Sequence, residues 1–68
     1  MLFTVEIDCG ADDLTSAMSK MREWLDGQRF EPDTFRHTVD GETITITVQF
    51  KVESKAIAFA RAFDGKLL

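Results

Sequence analysis

The sequence predicts an α+β fold: a three-stranded antiparallel sheet, in the order 1-3-2, with two helices on one face. Three observations carry that prediction. In ETITITVQFKV (42–52), Ile44, Ile46, Val48, Phe50 and Val52 alternate with Thr43, Thr45, Thr47, Gln49 and Lys51, the period-2 signature of a strand with one buried and one wet face. Two other stretches repeat apolar residues at helical spacing. An Asp40-Gly41 pair stands between two alternating runs, the signature of a tight hairpin.

The elements follow in order. Leu2 to Asp8 alternates Phe3, Val5 and Ile7 with Thr4, Glu6 and Asp8 and reads as the first strand, stopped at Cys9-Gly10. Asp12 to Asp26 places Leu14, Ala17, Met18, Met21, Trp24 and Leu25 on one helical stripe. Asp12 or Asp13 suits its N-cap, and Gly27 suits the left-handed position just past its end. Residues 28–33 form a connector, because Pro32 biases Glu31 away from helical geometry. Phe30 is expected as a lid over the bottom of the core.

Thr34 to Val39 is the second strand, and Asp40-Gly41 the turn into the third, the long run of 42–52. A two-residue loop there sets Val39 against Glu42, His37 against Ile44 and Phe35 against Ile46, so both apolar rows share a face. Ser54 to Asp64 is the second helix, capped by Ser54 and ended by Gly65. Ile57, Ala60 and Phe63 point inward, with Phe59 on the flank. Lys66, Leu67 and Leu68 are read as a short tail.

The order β-α-β-β-α, with the longest strand in the centre and a right-handed crossover through the first helix, resembles the ferredoxin-like pattern without its last strand. The resemblance spans the whole chain but is architectural. That shape hosts many activities, so it implies a fold and no function.

With 68 residues the chain is a single domain (1–68) that buries roughly 60% of its unfolded surface, a thin margin. An apolar fraction of 44% argues against disorder. The formal net charge of −4 counts against nucleic acid, which favours basic patches, and the outer sheet face offers no aromatics for base stacking. No run approaches membrane-spanning length. The opening MLFTVEIDCG lacks a basic segment and carries Glu6 and Asp8, so it is not read as a signal peptide. One cysteine fits a reducing cytoplasm.

Candidates for chemistry are few, and no cofactor is expected. Cys9 precedes a helix N-terminus, where thiolates are sometimes activated, but Asp8, Asp12 and Asp13 surround it and disfavour the anion. His37 falls on the core-facing side without a nucleophile or second histidine beside it, and reads as a half-buried core residue. The topology collects Asp8, Asp12, Asp13, Asp40, Glu42 and Asp64 at one end of the domain, a candidate divalent-cation site. Caps and turns account for several of these acids locally, and the spacing matches no EF-hand loop.

The leading expectation is a small non-catalytic protein-interaction or regulatory module with a protein partner, including a second copy of itself. Two surfaces are expected to serve it: a free edge on the first strand, around Thr4 and Glu6, and the apolar second helix, through Phe59 and Phe63. The alternative is a small-ligand or cation-binding domain using the acidic end. An enzyme ranks last, because so short a chain has little volume for a pocket.

Overall fold

The computed structural model describes all 68 residues. Its order is β1 (Phe3–Gly10), a 3₁₀ turn (Ala11–Asp13), α1 (Leu14–Gln28), β2 (Thr34–Asp40), β3 (Thr43–Phe50), α2 (Glu53–Phe63) and β4 (Lys66–Leu67). The protein is α+β, with two helices and a four-stranded antiparallel sheet in the order β2-β3-β1-β4. The expected three-stranded sheet lacking a last strand is therefore corrected. The tail pairs Leu67 with Val5 and Lys66 with Glu6, and the Leu68 N–H donates to the Thr4 carbonyl at 2.9 Å.

β3 lies between β1 and β2, as its alternation requires. Ile44, Ile46, Val48 and Phe50 are buried, and they meet Val5 and Ile7 from β1, Met21 and Leu25 from α1, and Ala56, Phe59 and Ala60 from α2. Val52 does not extend this row. The strand stops at Phe50, and Val52 is the residue preceding α2, on the surface. No polar or charged residue is buried, so the core rests on apolar burial and dispersion alone. Its aromatic centre is Phe59, not a flank residue. Phe59 meets Trp24 (5.6 Å between ring centroids), Phe50 (5.5 Å) and Phe63 (5.0 Å), and Phe30 meets Trp24 at 5.6 Å. These separations suit edge-on and tilted aromatic pairs.

The hairpin register differs by two residues from the expected one. Val39 pairs with Ile44, His37 with Ile46 and Phe35 with Val48, and Asp40 pairs with Thr43. The loop is therefore Gly41-Glu42. Gly41 has φ +65° and Glu42 has no positive φ, the pattern of a type II′ turn with glycine at its first central position. The shift is even, so both apolar rows stay on one face.

Both helices end differently from expectation. Gly27 lies inside α1, and Arg29 takes the left-handed conformation (φ 59°). Its N–H reaches the Asp26 carbonyl at 3.1 Å, and the Phe30 N–H reaches Leu25 at 2.9 Å. Those two bonds define a Schellman motif, and its usual apolar clasp is supplied by Phe30. α2 ends with Asp64 left-handed (φ 54°) and the Gly65 N–H on the Ala60 carbonyl at 2.7 Å. Neither Asp12 nor Asp13 caps α1 through its side chain, and α2 begins at Glu53 with no side-chain cap.

Gly65 is reserved for another purpose. A Cβ there would lie 2.7 Å from Ile7 Cγ1, 3.0 Å from Val5 Cγ1 and 3.2 Å from the Glu6 carbonyl. Only glycine lets the chain pass this close to β1 and deliver β4. Gly65→Ala is expected to cost about 1–3 kcal/mol through overpacking and to loosen the end of the chain. The check is faster amide exchange at Leu68 together with a lower thermal midpoint.

Candidate functional site

The acidic end is a real place in the fold. Cross-strand pairing sets Gly10 and Asp40 on either side of Thr43, and the Ala11 N–H reaches the Glu42 carbonyl at 3.3 Å. Asp8, Asp40 and Glu42 thus share an end with Asp12 and Asp13 of the 3₁₀ turn, while Asp64 closes α2. The carboxylates do not converge, however. No three His, Cys, Asp or Glu side chains form a group that could hold a metal ion. Asp8 instead accepts the Thr45 hydroxyl at 3.0 Å.

Cys9 and His37 sit on opposite flanks of β3. Cys9 is half-buried beside Ile44. His37 is exposed, which corrects its expected place under the helices. Phe59 is completely buried, so it offers no contact surface, while Phe63 is partly covered against the same core. Thr4 and Glu6 are engaged rather than free. The Thr4 hydroxyl accepts from Gln49 Nε2 at 3.1 Å, and Gln49 Oε1 accepts the Thr34 hydroxyl at 2.8 Å, tying three strands together on the outer face. The backbone of Thr4 to Glu6 is covered by Lys66 to Leu68. The expected open edge on β1 is therefore closed there.

The largest concavity, ≈ 760 Å3, lies at the opposite end, among Leu25, Phe30, Phe50 and Val52 with a charged rim. Its rim sets Arg29, Lys51 and Lys55 against Asp26, Glu31 and Asp33. Lys51 already pairs with Asp33 at 3.5 Å, and Lys55 lies over the Phe30 ring at 5.2 Å. Charges so balanced give no preference for an anion or a cation.

What remains open is β2. It forms one margin of the sheet, with β3 on its other side. The direction of its unpaired groups follows from the hairpin. The pair closing a two-residue loop exchanges its backbone bonds, and bonding then alternates along the ladder. On β3 the Gln49 carbonyl, which accepts the Asp33 N–H (2.7 Å), points toward β2, and the Glu42 carbonyl, which accepts the Ala11 N–H, points toward β1. Odd β3 positions therefore face β2 and even ones face β1, as that alternation requires. Thr34, Arg36, Thr38 and Asp40 thus face β3, while Phe35, His37 and Val39 turn their N–H and C=O groups outward. From Arg36 to Asp40 all five residues are exposed, and Val39 is 64% exposed although it lies on the helix side of the sheet. Above this strand, Arg22 of α1 covers Phe35 (4.8 Å from guanidinium carbon to ring centroid). Leu14, Met18 and Arg22 line a shallow depression of ≈ 480 Å3 on the same helix.

Reading the sequence alone misses this edge. The clue that was available is the pair Leu67-Leu68 after the glycine stop at Gly65, which closes the far side of the sheet and leaves β2 as the long open one. No helix is long and apolar enough to cross a membrane. No protein-family model, no curated protein and no solved structure matches this chain.

Proposed function

We propose that this chain is a non-catalytic protein-interaction module of ferredoxin-like architecture that works by accepting an added strand on β2. One observation carries the reading: an exposed margin at Arg36–Asp40, with apolar Val39 uncovered and backbone groups at Phe35, His37 and Val39 directed outward. Such a margin is a template for strand addition, and main-chain bonds supply much of the affinity in that mode. The architecture rests on the strand order and on the two helices lying between strands in sequence. The competing reading, a cation or small-ligand site at the acidic end, has no converging set of donors to support it.

Val39→Pro tests the reading. Proline removes an outward N–H and no bond to β3, and edge positions tolerate it. The variant is expected to keep its far-UV circular dichroism and to lose the proteins that the wild-type chain captures by cross-linking in native lysate. Equal capture by both chains would overturn the role of β2.

A further inference from the structure

We infer that the strand added to β2 is the β2 of a second copy, antiparallel about a two-fold axis at Thr38. This rests on the reading of β2 as a strand acceptor and names its partner. Two identical antiparallel strands related by a two-fold axis on a residue pair positions of equal parity, so outward-facing groups meet outward-facing groups and each face of the sheet continues across the join. An axis between residues would set outward groups against groups already bonded to β3, and the helix side against the bare side. Only residue-centred registers therefore work.

Charge selects among them. With the axis at Arg36, two guanidinium groups stand directly opposed, which is unfavourable. With the axis at His37, Arg36 faces Thr38 and neither charge is answered directly. With the axis at Thr38, Arg36 of each copy faces Asp40 of the other, twice over, and His37 faces Val39, exchanging backbone bonds and covering the exposed valine. Arg36 and Asp40 are free for this, because the ion pair within the chain is between Lys51 and Asp33. They also stand at positions bonded to β3, where cross-strand side chains on the new side approach most closely. The same pairing turns the α1 flank bearing Leu14, Met18 and Arg22 toward the join, because Arg22 lies over Phe35 of this strand.

The test is a charge exchange read by sedimentation velocity over a concentration series. Wild-type chain is expected to dimerise with rising concentration. Arg36→Asp and Asp40→Arg each create two like-charge contacts in their own dimers and should weaken association about tenfold or more. An equimolar mixture of the two variants restores both opposite-charge contacts in the heterodimer, as does the double variant in its homodimer, so both should return to near wild-type affinity. In a Cys9→Ala background, Thr38→Cys should form an intermolecular disulfide on mild oxidation, since that residue would face itself across the axis. A wild-type chain that stays monomeric, or a mixture that fails to recover, overturns the inference. A monomer whose captured proteins are lost in Val39→Pro would end self-pairing while leaving β2 as an acceptor of another protein's strand.

Discussion

Phe59→Ala should remove a large share of this protein's stability. Phe59 is completely buried and is the ring on which Trp24, Phe50 and Phe63 converge. Truncating a core phenylalanine costs about 3–5 kcal/mol, because the lost transfer energy is joined by the cavity left behind. A domain of this length has roughly 3–10 kcal/mol in total, at about 0.05–0.15 kcal/mol per residue. The thermal midpoint should fall by roughly 12–40 °C, at about 4–8 °C per kcal/mol for a domain of this size. Differential scanning calorimetry checks it directly. A midpoint within a few degrees of the wild type would mean that the aromatic cluster is not the centre of the core.

The second large effect belongs to the middle of β3. Ile46 is fully buried, with His37 and Ile7 as its neighbours across the sheet. Ile46→Ala should cost about 2–5 kcal/mol. Thr45, one residue away, points to the bare face and bonds Asp8 across the strands at an exposed site. Thr45→Ala should cost less than about 1 kcal/mol, the scale of a solvated hydrogen bond. Urea unfolding of both variants with unchanged slope measures the contrast. Losses of equal size would contradict a sheet with one dry face and one wet face.

Much of the fold is legible in the sequence because alternation is a local signal. Ile44 to Phe50 announces its strand and its buried side, and Leu14 to Leu25 its helical stripe. What escapes is whatever depends on where a glycine is needed. Asp40-Gly41 reads as a turn, but which residue of the loop takes positive φ decides the pairing, and Gly41 at the first central position moves it by two. Gly27 and Gly65 look like helix stops. In fact Phe30 fixes the end of α1 by packing beyond it, so Arg29 adopts the left-handed turn. Gly65 must stay small where it passes β1, so the turn falls to Asp64, a residue type that tolerates it better than most. The acidic end was legible as a location and not as a site, because proximity along a fold does not aim carboxylates at a common point. Phe59 reads as a flank residue because periodicity gives a helix's apolar stripe but not its centre line when six alanine and phenylalanine positions crowd one short segment.

The closing of β1 by three residues at the end of the chain has a consequence for assembly. A sheet open on both sides could propagate from molecule to molecule without limit, the geometry of a fibre. Here Lys66 to Leu68 cover the backbone of Thr4 to Glu6 on one side and leave only a two-residue strand as that margin. In the pairing proposed for β2, the two-fold axis uses up that edge in both copies, and the short β4 margin offers little template for a third.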